Sequence, residues 1–120
     1  MTDNIKLLNE LKHFTGSEIT YYLPLFPMFR YTEGVRHVAI QANAFWLVTD
    51  VFAHQFITPF LENPFQTWKL KVTPDQKATL KVEDGNGIIL KTINLEYTDF
   101  PLDEFTLWFV EGTLLLPSEY

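Results

Sequence analysis

The sequence predicts an α+β fold, in which N-terminal helices pack on one face of an antiparallel sheet of about four to six strands. Apolar residues recur at helical spacing in the first half of the chain and at alternate positions in the second half. The length of 120 residues suits one domain, with a helical part at about 1–58 and a sheet at about 67–116.

The first helix is predicted from Asn4 to about His13, with Thr2 or Asp3 as its N-cap and Gly16 as its stop. Its apolar stripe consists of three leucines, Leu7, Leu8 and Leu11. The next stretch, 17–31, is rich in aromatic residues but contains two prolines, which disfavour a long strand. Most of it is therefore predicted to be ordered loop, with 18–22 as a short strand at most.

Two further helices are predicted before the sheet. Thr32 is a suitable N-cap for the second, which should end near Asn43. The third is more apolar and should continue until Pro59. Its stripe is formed by Phe45, Val48, Phe52 and Phe56. The segment 58–66, which contains two prolines, is predicted to link the helices to the sheet.

A hairpin begins the predicted sheet. In 67–72 and again in 78–82, apolar residues alternate with lysines or threonines, which is typical of strands with one buried face. The glycine-rich segment 83–87 suits a tight turn into a third strand, 88–97. The residues expected on one face of that strand are Ile89, Ile93, Leu95 and Tyr97, with Lys91 as an exception.

A corner at 98–104 precedes a last hairpin over 105–116. Pro101 cannot donate a hydrogen bond to a ladder, so the corner should interrupt the sheet. A turn at Glu111–Gly112 would pair Val110 with Thr113 and Trp108 with Leu115. The remaining four residues are predicted to form a short tail.

Composition narrows the classes of function. The formal net charge of −6 makes direct binding of nucleic acid through phosphate contacts unlikely, because such binding depends on clustered Lys and Arg. No cysteine is present, and no apolar run is long enough for a membrane span, so we expect a cytoplasmic protein without membrane contact. The aromatic content of 16%, with eleven Phe, favours a dense core and some exposed rings.

Candidate catalytic groups are few, and no nucleophile, phosphate-binding or dinucleotide motif occurs. Asp50 and His54 lie four residues apart on one helix face, where they can orient an imidazole or simply form an intrahelical hydrogen bond. In the corner, Asp99 and Glu104 can act as an acid/base pair, or Asp99 can make an Asx-type turn. We predict no metal, no cofactor and no enzymatic activity.

The excess of rings is the stronger indication. Tyr and Trp combine apolar surface with a polar group and often anchor protein interfaces. The alternative is that the rings complete the core and that the corner carboxylates are only a solvated bend. The residues predicted to contact a partner are Tyr21, Tyr22, Tyr31, Asp99, Asp103, Glu104 and Trp108.

The chain contains seven short motifs, namely 11–18 (LKHFTGSE), 31–35 (YTEGV), 44–47 (AFWL), 68–70 (WKL), 82–87 (VEDGNG), 97–102 (YTDFPL) and 114–120 (LLLPSEY). In these motifs it resembles a family of small uncharacterised bacterial proteins that are often carried on mobile elements. The resemblance implies no established activity. The association of that family with mobile elements implies that the chain is a small protein that binds and blocks a host machine, such as an anti-defence inhibitor.

These observations lead to one functional hypothesis and two alternatives. The leading hypothesis is a small acidic cytosolic protein-binding domain that inhibits a nucleic-acid-processing or defence machine, with a basic protein surface as its partner. The first alternative is a small metal- or acid/base-dependent enzyme that uses Asp50, His54 or the Asp99 corner. The second is a homodimeric structural scaffold.

Overall fold

The computed structural model describes residues 2–15 and 19–120, without the side chains of 2–4. The predicted Gly16 stop and the N-cap side chains of Thr2 and Asp3 therefore lie outside what is described. Three α-helices are present over this part of the chain, namely α1 (Thr2–Leu11), α2 (Glu33–Gln41) and α3 (Phe45–His54). The strands are β1 (Thr20–Leu23), β2 (Phe26–Thr32), β3 (Phe65–Val72), β4 (Ala78–Asp84), β5 (Ile89–Leu95), β6 (Glu104–Val110) and β7 (Thr113–Leu115). Short 3₁₀ turns occupy Phe60–Glu62 and Pro117–Glu119.

The strands form one sheet in the order β1-β2-β7-β6-β3-β4-β5. Neighbouring strands are antiparallel except β2 and β7, which are parallel. The α+β class is therefore confirmed, but the prediction of a purely antiparallel sheet of four to six strands is wrong. The sheet has seven strands and is mixed, and two of them come from the half of the chain that was expected to be helical.

The extra strands lie in the segment that was predicted to be mostly loop, although the short strand considered there at 18–22 overlaps β1. Tyr21 pairs with Tyr31 in a hairpin, and Pro24 lies in the turn between the two strands. Pro27 lies near the start of β2, close to the register shift between Tyr21 and Leu23. Proline is tolerated at turns, strand starts and irregular edges, because no ladder donor is required there. The two prolines therefore delimit the hairpin instead of preventing it.

The two hairpins predicted for the second half are confirmed. In the first, Trp68 pairs with Val82 and Leu70 with Leu80. In the second, Val110 pairs with Thr113 and Trp108 with Leu115, as the turn at Glu111–Gly112 predicts. Gly112 has φ of 88°, which a residue with a side chain rarely adopts. The hairpins are joined by a non-local pairing of β3 with β6.

The face assignment predicted for the third strand of this region is wrong in part. Lys91 lies opposite Val82, but Ile89 lies opposite Glu83, so Leu90 is an extra residue in a bulge. The bulge reverses the alternation, and Ile89 therefore lies on the opposite face from Ile93. Tyr97 lies beyond the end of the strand and is exposed.

One face of the sheet, here called the inner face, contributes to the core. Phe52 of α3 packs against both Phe29 and Phe109, with ring centroids 5.2 and 6.2 Å away. Residues of α2 and α3 surround a small void with Leu107 of β6. α1 lies against α2, where the Glu10 carboxylate is 2.5 Å from Nε2 of His37. The predicted packing of all N-terminal helices on one face is therefore not clearly present.

The helix starts and stops follow local signals. Thr32 caps α2 as predicted, since its hydroxyl accepts a hydrogen bond from the amide of Val35 at 3.3 Å. Asn43, with φ of 52°, turns the chain from α2 into α3. The third helix ends at His54 rather than continuing to Pro59, so Phe56 lies outside it. No helix in the described part of the chain is long and apolar enough to cross a bilayer.

Candidate binding surface

The opposite side of the central strands, here called the outer face, bears the residues that alternate with the buried ones. These residues are Phe65, Thr67, Lys69 and Lys71 of β3, Thr79, Lys81 and Glu83 of β4, Glu104, Thr106, Trp108 and Val110 of β6, and Thr113 and Leu115 of β7. Rings lie at one end of this face and lysines at the other. The two ends can contact one ligand because they lie along the same strands.

The aromatic end consists of Phe65, Trp108 and Tyr120. The ring centroid of Trp108 lies 5.6 Å from that of Phe65 and 5.4 Å from that of Tyr120. Trp108 is half-buried, and Tyr120 is 76% exposed. The indole N–H of Trp108 donates to no residue that the structure describes. The aromatic end thus offers a rigid apolar surface together with a free hydrogen-bond donor.

The basic end consists of Lys69, Lys71 and Lys81 with the acidic side chains of Glu83 and Glu104. It forms an open concavity of about 600 Å³, which Thr79 and Thr106 also line. Nζ of Lys69 lies 3.2 Å from the Glu83 carboxylate, and Nζ of Lys71 lies 3.7 Å from that of Glu104. Lys81 forms no ion pair with any residue in the described ranges.

Two of these lysines repel each other. Lys69 and Lys81 are directly opposite in the β3–β4 ladder, where Cβ atoms are about 5 Å apart and like charges are destabilising. One carboxylate, that of Glu83, accompanies this pair. Local positive charge therefore exceeds what the neighbouring side chains neutralise, although the chain as a whole is acidic.

The residues predicted to contact a partner do not form one surface. Trp108 and Glu104 share the outer face, on β6. Tyr22 lies on the same side at the sheet edge, 53% exposed, with its ring 5.2 Å from the guanidinium of Arg30. Tyr21 and Tyr31 point to the other side of the sheet, where their ring centroids are 5.7 Å apart. Tyr31 is buried, and that burial raises the pKa of its phenol.

The acidic residues of the corner that were predicted to contact a partner also lie apart from one another. Asp99 lines a separate groove beside α1, with Glu10 and Lys6, and Asp103 is exposed. The prediction that Asp99 makes the turn is wrong, because the Thr98 hydroxyl accepts the hydrogen bond from the amide of Phe100 at 3.2 Å. The corner is anchored by its apolar residues, Phe100 and Leu102, which are both buried.

Asp50 and His54, the predicted catalytic pair, lie at the end of α3. Nδ1 of His54 is 2.7 Å from the backbone oxygen of Asp50, so the intrahelical bond is to the backbone and not to the carboxylate. Nε2 of His54 lies 3.3 Å from Nζ of Lys91. Burial raises the pKa of the Asp50 carboxyl, and the charges of His54 and Lys91 partly oppose that rise. The Asp99 groove includes neither Asp50 nor His54.

This arrangement supplies little for catalysis. The imidazole of His54 packs against the rings of both Phe60 and Trp68, at centroid distances of 5.2 and 5.6 Å. Among the residues that the structure describes, no three His, Asp or Glu side chains are grouped so that they can hold a metal ion. The contacts of His54 are those of a side chain that joins α3 to the sheet.

The C-terminal tail is a structural element that holds one ring of the aromatic end. The Glu119 carboxylate accepts hydrogen bonds from the Thr32 hydroxyl at 2.6 Å and from the amide of Gly34 at 3.1 Å, so it caps the start of α2. It also accepts the amide of Leu116 at 3.0 Å. A methyl group at Gly34 would lie 2.6 Å from Oε1 of Glu119. Glycine at this position therefore allows the tail to dock.

Sequence reasoning identified Trp108 but missed its neighbours. The three lysines were recognised only as the polar side of two strands, and their clustering depends on the β3–β4 register. Tyr120 was assigned only to a short tail. The hydroxyl of Ser118 donates to the backbone oxygen of Phe14 at 2.7 Å, and this bond and those of Glu119 place the Tyr120 ring beside the sheet.

A second exposed apolar surface lies near the tip of the β1–β2 hairpin. Phe56 is 50% exposed, and its ring stacks on that of Phe26 at 6.0 Å. Leu25, at the hairpin tip, is also exposed. This hairpin-tip surface is separate from the outer face and provides a matched comparison for it.

The comparisons with known proteins agree with the resemblance at the level of the family. A family model described as a family of unknown function (DUF6876) matches residues 5–120. No curated protein and no solved structure matches the chain. The matched range includes all seven strands and therefore the whole outer face.

Proposed function

The chain belongs to this family of unknown function, and since membership assigns no activity, we propose that it is a protein-binding domain whose partner docks on the outer face. The observation that carries the proposal is the half-buried Trp108, which is held between two rings on a face whose other end is lined by charged side chains. Tryptophan and tyrosine at the centre of a patch with a polar rim are typical of interface anchors.

The outer face suits a partner better than the hairpin-tip surface does. The rings around Trp108 are already packed, so little side-chain entropy is lost when a partner covers them. The indole N–H and the lysines of the basic end offer directional contacts that give specificity. Phe56 and Leu25 of the hairpin-tip surface are apolar, and neither lines the concavity of charged side chains.

The edges of the sheet are poorly suited to strand addition. β5, at one edge, contains a bulge and an inward-facing Lys91, and both features oppose pairing with another strand. β1, at the other edge, has only four residues and an irregular register. A partner, including a second copy of this chain, would therefore contact the face of the sheet rather than its edge.

A domain that only binds another protein can still have a biological role as an inhibitor. A small domain acts most simply by covering a surface that its partner needs. Inhibition of a nucleic-acid-processing or defence machine in the cytoplasm is the role that the resemblance implies, and it fits such a mechanism. The enzymatic alternative would require His54 to act on a substrate while its imidazole packs against two rings.

Affinity capture from a bacterial lysate tests this proposal. The bait proteins are the wild type, the double variant Trp108→Ala/Tyr120→Ala and the control Phe56→Ala, which removes an exposed ring from the hairpin-tip surface. We expect proteins that are retained by the wild type and the control but lost from the double variant. Equal capture by the double variant, with its fold verified by circular dichroism, would exclude the outer face.

A further inference from the structure

We propose that the partner presents an extended acidic segment, whose carboxylates contact the lysines of the basic end and whose aromatic or large apolar side chain packs on the aromatic end. This inference rests on the proposed function and adds the chemistry of the partner. Charge complementarity with the basic end supports it, together with the spacing of the two ends along β3.

The basic end carries more lysines than carboxylates. Three lysines and two glutamates line the concavity, and Lys81 has no carboxylate partner among the described residues. Lys69 faces Lys81 across the ladder, so an incoming carboxylate between them would relieve their repulsion. The basic partner expected from net charge reflects the whole molecule, whereas the outer face is locally positive.

The distance between the aromatic end and the lysines defines which positions of the segment should be aromatic and which acidic. Trp108 lies opposite Thr67, and Lys69 and Lys71 follow Thr67 two and four positions farther along the same strand. These steps correspond to about 7 and 13 Å at the rise of a β-strand. Alternate side chains of an extended peptide share one face with the same period. An aromatic residue followed by acidic residues at the second and fourth positions would therefore meet both ends.

A peptide fits this face better than a nucleic acid does. Glu83 and Glu104 lie among the lysines and would repel a continuous row of phosphates. Arginine, which binds phosphate and stacks on bases, is not among the residues that line the concavity. The net charge of −6 adds repulsion at longer range. A peptide can place neutral residues opposite the glutamates and carboxylates only opposite the lysines.

Titrations followed by backbone amide NMR test this chemistry with defined probes. The first probe is the peptide Phe-Ser-Glu-Ser-Glu, the second replaces both Glu by Lys, and the third is an oligothymidine of similar length. We expect the acidic peptide to shift amide signals of β3, β4 and β6, and the lysine peptide to leave them unchanged. Lys69→Gln and Lys81→Gln should each weaken binding about two- to fivefold, the effect of one exposed ion pair.

The control variant is Lys77→Gln, which removes a lysine that lies outside the concavity and pairs with Asp75. It should bind the acidic peptide like the wild type. Tighter binding of oligothymidine would indicate a nucleic-acid ligand and overturn the inference. Absence of shifts with millimolar acidic peptide, or equal shifts with the lysine peptide, would also overturn it. Lysate capture that depends on Trp108 but not on Lys69 or Lys81 would leave the protein-binding proposal intact.

Discussion

Trp68 and Trp108 lie on adjacent strands of the sheet, on opposite faces, and their surroundings differ in two respects. Trp68 is 1% exposed, stacks on Phe60 at 5.7 Å and donates its indole N–H to Oε1 of Gln66 at 2.9 Å. Trp108 is half-buried and donates to no described residue. Burial together with a satisfied polar group marks a structural tryptophan, whereas partial exposure with an unused donor marks one that can bind a partner.

The network around Trp68 shows how completely the inner face is satisfied. Gln66 is fully buried and exchanges two amide hydrogen bonds of 2.8 Å with Gln55. Its amide nitrogen also donates to the backbone oxygens of Phe60 and Asn63. Such networks are costly to interrupt, because each polar group that is left unpaired in a buried site lowers the free energy of unfolding by about 1–3 kcal/mol. The residues that the structure describes form no comparable network around Trp108.

The largest expected difference is in stability. Trp68→Ala should lower the free energy of unfolding by about 3–5 kcal/mol, because it leaves a cavity and removes one of the two hydrogen bonds that Oε1 of Gln66 accepts. Trp108→Ala should lower it by less than about 2 kcal/mol, because the side chain is only partly buried in the folded protein. Urea denaturation of both variants measures the two values. Similar losses for the two variants would contradict the distinction between the faces.

The contact of the C-terminal tail with Gly34 provides the second test of stability. Gly34→Ala should displace Glu119 and lower the free energy of unfolding by about 1–3 kcal/mol, the usual cost of overpacking. Release of the tail would also free Tyr120 from Trp108. Thermal unfolding measures the stability, and tryptophan fluorescence reports the environment of Trp108. Glu119→Gln, which retains most of the side-chain volume, should have the smaller effect, and a larger one would contradict the steric argument.

Removal of a lysine from the basic end should change the free energy of unfolding by less, and in the opposite direction. Lys81→Gln should raise the free energy of unfolding by up to about 1 kcal/mol, because it removes the repulsion with Lys69. The same variant should bind the acidic peptide more weakly, so stability and binding would change in opposite directions. Chemical denaturation at low salt measures the gain. A loss of stability would show that Lys81 has a structural role.

Asp50 provides the smallest expected effect. Its pKa is raised in the folded state, so its contribution to stability is present below the unfolded pKa of 3.8 and is lost as pH rises through the folded value. Asp50→Asn should therefore raise the free energy of unfolding at neutral pH, by less than about 1 kcal/mol because the group is partly solvated. Unfolding curves from pH 3 to 7 should show the gain disappearing in acid. A constant gain would mean that ionisation is not its cause.

Local patterns predicted much of the fold. The alternation in 67–72 and 78–82 defined β3 and β4, and the turn at Glu111–Gly112 gave the register of β6 and β7. The parallel pairing of Arg30 with Thr113 was not predictable from such patterns, because no local turn connects β2 to β7. The bulge at Leu90 was also missed, since a period of two carries no sign of an inserted residue.

The candidate surface was predictable only in part. The ring content indicated an interface, and Trp108 is part of the proposed one, but Tyr31 belongs to the core because β2 pairs with a strand on each side and Tyr31 lies on its buried face. Tyr120 contributes because Glu119 reaches the start of α2, a contact between residues 85 positions apart in sequence. Contacts of that kind cannot be derived from spacing or propensity.

Side-chain footprinting of the protein with and without its captured partner tests the central claim most directly. Hydroxyl radicals label exposed aromatic side chains, and mass spectrometry reports each site. The account predicts that Trp108 and Tyr120 become protected in the complex, while Phe56 keeps its reactivity. Unchanged labelling of Trp108 and Tyr120, with protection of Phe56 instead, would show that the partner binds elsewhere and would contradict the account.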